Sequence, residues 1–285
     1  MEKLFFIDYK KLDDADLFKI DNPILRVLRR YSLYISDYEN NELTEAIFIR
    51  LGWSNRYKDT IFSFFRTICV VLEFYSKICK CKLNNGAEMI FYHDNNSLKY
   101  KIDNIEKDRY QYKKSLLYEK ATEEGQTLKK VMDNIFRDNL IFPLLKEIAE
   151  LTDSLSNFTP HPGYPFNQAK GLSNDVLDSL NLMVDKIQAC VDEGKELQYG
   201  NEPNKIVKLE QLKEWHSWFK NNQSVYCLDG FYEITDDGNL KGVKLFENQS
   251  LNNVFPKDKK EIIQYLQNMK ELLYKRGKAM NKSIR

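Results

Sequence analysis

The stretch Ile61-Phe62-Ser63-Phe64-Phe65-Arg66-Thr67-Ile68-Cys69-Val70-Val71-Leu72-Glu73-Phe74-Tyr75 decides the fold class. Ile61, Phe64, Phe65, Ile68, Val71, Leu72 and Tyr75 recur at the i, i+3, i+4, i+7 spacing of one helical face. Phe62, Cys69, Val70 and Phe74 widen that stripe almost all the way round. A helix that is apolar on most faces belongs in the middle of a bundle. The spacing predicts a helix from about Ser54 to Lys80 and makes it the central one.

Outward from this helix the pattern stays mostly helical. Upstream, Asn22 is a preferred N-cap and Pro23 suits a first helical position; Ile24, Leu25, Leu28, Tyr31 and Ile35 follow at helical spacing. A short helix is expected over Glu42 to Leu51. Downstream, Ala87 to His93 and Ser97 to Ile102 flank the turn-forming Asp94-Asn95-Asn96 and read as a β-hairpin.

Helix is expected again from about Ile105 to Ala121 and from about Glu124 to Ser154, with Pro143 kinking or dividing the latter. After a Pro-rich loop, Ser173 reads as the N-cap of a helix to about Asp192, ended near Gly194. Further helices are expected over Asn204 to Lys220 and from Pro256-Lys257-Asp258 onward. A second hairpin is expected between them, turning at Asp236-Asp237-Gly238-Asn239. The fold class is therefore mainly α, an irregular helical bundle with two small β-hairpins. It reads as one helical domain over 1–285, or two tightly packed halves joined near 155–172.

Composition supports a packed core. Hydrophobic residues make up 42% of the 285 and charged residues 30%, and 17 Tyr and 17 Phe need apolar surroundings. Lys and Arg total 43 against 42 Asp and Glu, which argues against coating nucleic acid or an anionic membrane by bulk charge. No run approaches the roughly 20 apolar residues of a membrane span, and the N-terminus lacks a signal-peptide pattern. The odd number of cysteines, Cys69, Cys79, Cys81, Cys190 and Cys227, suits a reducing compartment. A cytoplasmic location is expected, with no membrane partner.

The sequence holds no phosphate-binding glycine loop, no dinucleotide fingerprint, no zinc-protease helix motif and no nucleophile elbow. None of His93, His161 and His216 follows an arginine at the four-to-six-residue spacing used by helical ribonucleases of the higher-eukaryote and prokaryote nucleotide-binding class. Cys79-Lys80-Cys81, followed by His93-Asp94, has one residue between its thiols where structural zinc sites use two to four. The end of a helix or strand explains the pair as well. No metal and no cofactor is expected.

The segment Asn157 to Gly171 is the most unusual. Pro160, Pro162 and Pro165 stiffen it, while Gly163 and Gly171 let it bend. A stiff loop loses little entropy when it presents side chains. In one reading His161, Asn167 and Lys170 are candidate catalytic residues, with Asn157 and Tyr164 helping to bind an anion or a base. In the other, Phe158, Tyr164 and Phe166 plug the loop into the core while Asn157 and Asn167 satisfy buried backbone.

Asn157-Phe158-Thr159-Pro160-His161-Pro162, then Pro165-Phe166-Asn167 and Asn174-Asp175, resembles a stretch found in uncharacterised bacterial and phage-associated proteins. It covers under a tenth of the chain. The resemblance implies a microbial, phage or mobile-element context, in which a part in host–virus conflict or antiviral defence is one expectation.

Basic residues form two groups, Arg26, Arg29 and Arg30 on the first helix and Lys275, Arg276 and Lys278 near the C-terminus. They are the candidates for nucleic-acid contact; a solvated helix face is the simpler reading. Trp215 and Trp218 read as core, with His216 at its margin. The expectation is a non-enzymatic interaction or regulatory protein that binds a protein partner or itself. The alternative is a nucleotide- or nucleic-acid-directed enzyme or sensor that uses the 157–171 loop.

Overall fold

The computed structural model describes residues 58–94, 97–106, 123–151 and 154–283. The expected helices over 22–35 and 42–51, and the basic residues Arg26, Arg29 and Arg30, lie outside them. Among the described residues the fold is mainly α: seven α-helices carry the core and short antiparallel strands join them. Buried apolar side chains from Ile61 to Met280 form one continuous cluster.

The central helix, α1 (Phe64–Cys79), is buried on most of its length as its sequence requires. It begins ten residues later than expected. Ser63 is its N-cap, with Oγ accepting a hydrogen bond from the Arg66 amide at 3.4 Å. Upstream, Lys58–Thr60 is not helix but a strand, β1.

After α1 come β2 (Met89–Asp94) and β3 (Ser97–Ile102), the first expected hairpin, with Phe91 opposite Tyr100. Ile105–Glu106, expected to open a helix, instead forms a third strand, β4, against Lys101 and Ile102. The remainder of that expected helix lies outside the described residues.

The long helix expected over 124–154 is two, α2 (Glu123–Arg137) and α3 (Ile141–Leu151). The break is at Asp138 and not at Pro143. Asp138 Oδ1 accepts from the amides of Leu140 and Ile141, both at 3.0 Å, and so caps α3. Pro143 falls in the first turn of α3, where a missing amide hydrogen costs nothing. The other Asp138 oxygen accepts from Tyr75 of α1 and Lys259, tying three helices at one carboxylate.

The Pro-rich segment holds β5 (Phe158–Pro160) and α4 (Phe166–Leu172). β5 pairs with β1 in the register Lys58 to Pro160, Asp59 to Thr159 and Thr60 to Phe158. The helix expected from Ser173 begins only at Leu180. A 3-10 turn over 174–176 intervenes, and Leu177 and Asp178 are both left-handed, with φ of 50° and 51°.

Helix α5 (Leu180–Glu193) ends at Gly194, which adopts φ 64° as a C-cap. β6 (Leu197–Gln198) and β7 (Ile206–Val207) form a small ladder that sequence periodicity did not reveal. α6 (Leu209–Asn222) follows, then the second expected hairpin, β8 (Tyr232–Ile234) with β9 (Leu240–Gly242).

A polar stripe on α5 docks that hairpin. Asn181 Nδ2 donates to the Val243 carbonyl at 2.7 Å, Asp185 Oδ1 accepts from Gly242 N at 2.7 Å, and Gln188 Oε1 accepts from Leu240 N at 2.7 Å. Gly242 lies against the Asn181 carbonyl so closely that a Cβ would overlap it. The last described helix is α7 (Lys259–Ser283), capped by Asp258, whose Oδ1 accepts from Glu261 N at 2.9 Å. None of the helices among the described residues is long and apolar enough to cross a membrane.

Candidate functional site

The 157–171 segment is held from four sides, and its sequence explains each hold. Asn157 is buried and acts as a side-chain replacement for a strand: Oδ1 accepts from Phe62 N at 3.0 Å and Nδ2 donates to Phe62 O at 3.1 Å. Its carbonyl also accepts from Ile61 N at 2.7 Å. Buried amides must find partners, and Asn157 supplies them at the point where β1 turns into α1.

The aromatic residues hold the second side. Phe166 opens α4 and stacks on His161 at 5.3 Å between ring centroids. It also meets Trp215 edge-on at 5.3 Å and the tilted ring of Phe219 at 5.5 Å, both on α6. Phe219 continues to Tyr232, and Trp218 stacks on Tyr226 at 5.3 Å. His161 is buried, with Nδ1 accepting from Gly163 N at 3.2 Å. His216 is likewise engaged, its Nε2 2.8 Å from Gln188 Oε1, and burial together with Lys220 lowers its pKa.

Arg276 of α7 holds the third side. It is only 2% exposed, and its Nη1 donates to Ser156 O at 2.8 Å and Phe158 O at 2.7 Å, while Nε and Nη2 reach Tyr226 O. Burial pulls its pKa down to about 9. Grouped by sequence with the surface cations, Arg276 is instead a core clamp on backbone carbonyls and offers nothing to a phosphate. Lys275 and Lys278 do face solvent.

The fourth hold is Lys170 in the last turn of α4, itself only 1% exposed. Its Nζ donates to Thr60 O at 2.7 Å and to Asp178 Oδ1 at 2.7 Å, and lies 3.0 Å from Asp59 Oδ2. The contact with Asp59 is one of charge, since that oxygen has no well-angled hydrogen bond. Arg66 adds a second cation, its Nη2 donating to Gly171 O at 2.7 Å.

Two carboxylates share one ammonium here, and they divide unequally. Burial raises the pKa of both. Lys170, Arg66 and a hydrogen bond from Ser63 reverse this at Asp178, whose pKa falls below the usual range. At Asp59 burial wins over Lys170, the Asp178 charge adds to it, and its pKa rises to about 6. Burial works against charge on Lys170 too, but Asp178 and Asp59 hold it above its ordinary value. The ammonium thus stays protonated with its hydrogens engaged, so it has no free lone pair with which to act as a nucleophile or base. It works as a latch between β1, α4 and the left-handed corner at Leu177–Asp178.

The sequence candidates therefore do not converge on one point. His161 is buried against Phe166 and Gly163, Lys170 against Thr60 and Asp178, Asn157 serves the backbone, and Asn167 is exposed on α4. Phe158 and Phe166 plug the loop into the core, whereas Tyr164 does not: it is 67% exposed. Its carbonyl accepts from Gln211 Nε2 at 2.8 Å and its peptide bond to Pro165 is cis. Asp59 and Asp178 were absent from the sequence reading. Asp59 has no local signal because its partner Lys170 lies far along the chain, and Asp178 has none because the left-handed corner that turns it back to Lys170 carries no glycine.

Among the described residues no group of three or more His, Cys, Asp or Glu side chains is placed to hold a metal ion. No family model, curated protein or solved structure matches the chain.

Proposed function

We propose that the protein acts by binding a protein partner, another molecule or a second copy of itself, through the tip of the 157–171 loop centred on Tyr164. One observation carries the reading: every anchor of the loop is buried and bonded, while Tyr164 is held out to solvent. Tyrosine offers a large, rigid, amphipathic contact with few rotatable bonds, which is why it is enriched at interface hot spots. A loop already fixed in shape loses little entropy on docking. Asn167 and Gln168, exposed on the first turn of α4, supply a polar rim.

An enzyme or nucleotide sensor built on this loop would need His161, Asn167 and Lys170 around one ligand, and their separate partners, with His161 and Lys170 buried and Asn167 exposed, do not favour it. The cytoplasmic location and the microbial or phage setting, with any part in antiviral defence, rest on the sequence reading alone.

The test is affinity capture from the source cell, together with sedimentation of the pure protein, using wild type and Tyr164→Ala side by side. The reading expects a complex or oligomer with wild type that Tyr164→Ala loses while its unfolding midpoint is unchanged. An assembly retained by a folded Tyr164→Ala protein would overturn it.

A further inference from the structure

The outer face of α6 carries an open groove of about 500 Å³. Glu210, Glu214 and Trp218 follow one another along it at one-turn intervals. Both carboxylates are exposed and Trp218 is half-buried. Among the described residues neither glutamate makes an ion pair. Tyr226 stacks on one face of the Trp218 indole at 5.3 Å and Phe219 meets it edge-on at 5.0 Å, so the ring is held in place where it lines the groove. Gln211, next to Glu210 in the same turn, donates to the Tyr164 carbonyl at 2.8 Å. The groove therefore opens beside the tip of the 157–171 loop.

We propose that this groove receives an arginine side chain of the protein partner. The inference rests on the reading of Tyr164 as a protein-binding tip and names the chemistry of what docks beside it. A guanidinium is planar and always charged, so its face lies on an indole while its N–H fork bonds a carboxylate. Trp218 and Glu214, one turn apart on the same face, present those two surfaces together. Glu210, a turn further along, adds a second negative charge. The compact ammonium of a lysine has no plane to lay on the ring.

The same charges decide what the groove refuses. Two unpaired carboxylates repel a phosphate or a partner's own carboxylate. Lys213, the one cation among the described lining residues, lies about 140° round the helix from Trp218. It therefore borders the far rim and does not occupy the stacking face. Asn221, at the other end of the groove, offers an amide that both donates and accepts. Because both carboxylates sit in water, their share of the affinity falls as salt rises, while the stack persists.

The experiment titrates the pure full-length protein, isotope-labelled at tryptophan, with Nα-acetyl-arginine amide and follows the Trp218 indole N–H by NMR. The spectrum of Trp218→Phe assigns that signal. A saturable shift at Trp218, larger than at Trp215, is expected, and Nα-acetyl-citrulline amide, of the same shape without the charge, gives none. Glu210→Gln/Glu214→Gln weakens the arginine complex about tenfold. Glu233→Gln, exposed on β8, leaves it unchanged; circular dichroism confirms that each variant is folded. No saturable shift with arginine amide, an equal response to citrulline amide, or undiminished affinity in the folded double variant would overturn the proposal. The titration needs no partner, so its failure is read separately from the assembly test on Tyr164.

Discussion

Lys170 and Asp178 meet at 2.7 Å between Nζ and Oδ1, joining the end of α4 to a corner whose backbone is left-handed at two successive non-glycine residues. Left-handed backbone at a leucine and an aspartate is unfavourable on its own and persists only where the surroundings enforce it. The ion pair and the burial of Leu177 do so here. Lys170→Met leaves the Asp178 charge buried with much of its compensation gone, and should cost about 3–5 kcal/mol in urea unfolding. Adding Asp59→Asn and Asp178→Asn to Lys170→Met should recover a large part of that loss. Equal stability of the single and triple variants would contradict the latch.

The same cluster sets a pH dependence. Asp59 has a folded pKa of about 6, above the roughly 3.9 of an unfolded aspartate. Its contribution is therefore full below about pH 4 and lost as pH rises through about 6, on the order of 3 kcal/mol in all. The difference between wild type and Asp59→Asn, followed by chemical denaturation from pH 4 to 8, should move in favour of the variant as pH rises. A difference that does not change with pH would show that Asp59 ionises freely.

Asp138 titrates in the opposite sense. Burial would raise its pKa, but Lys259, Tyr75 and two amides hold it well below the usual carboxylate range. Its stabilisation is thus present above about pH 4 and lost as pH falls further. Asp138→Ala removes a helix cap and two side-chain partners, and should cost about 2–3 kcal/mol at neutral pH. The penalty should shrink in acid, as thermal unfolding at pH 7 and pH 3 would show.

At Gly242 the close approach of the Asn181 carbonyl leaves no room for a methyl group. Gly242→Ala must push β9 off α5 and strain the bond from Gly242 N to Asp185, at a cost of about 1–3 kcal/mol. Hydrogen exchange should then show faster opening at Leu240 and Gly242 than in wild type, with α1 unaffected. Uniform loss of protection would mean that the hairpin is not a separable unit.

The parts of the fold that were legible are those with local causes. The stripe on α1, the two hairpins and the glycine stop after α5 each follow from a period or a turn residue within a few positions. The Asp138 cap was also written locally, two residues before the apolar run of α3, but Pro143 drew the break to itself. Other features have long-range causes. Lys58–Thr60 is a strand because β5 and Asn157 come to it, and Lys170 meets Thr60 across 110 residues. The left-handed corner at Leu177 and Asp178 carries no glycine to announce it. Arg276 looked like its exposed neighbours because a helix face becomes visible only once packing shows which side is inside.

The most direct measurement for the central claim is the comparison of Tyr164→Ala with wild type in both assembly and stability. Tyr164 is exposed and its backbone contacts survive truncation, so the unfolding free energy should change by less than about 0.5 kcal/mol. Loss of the complex or oligomer at unchanged stability is the result this account predicts. An assembly of undiminished affinity in the variant would contradict it and move the binding surface away from the loop.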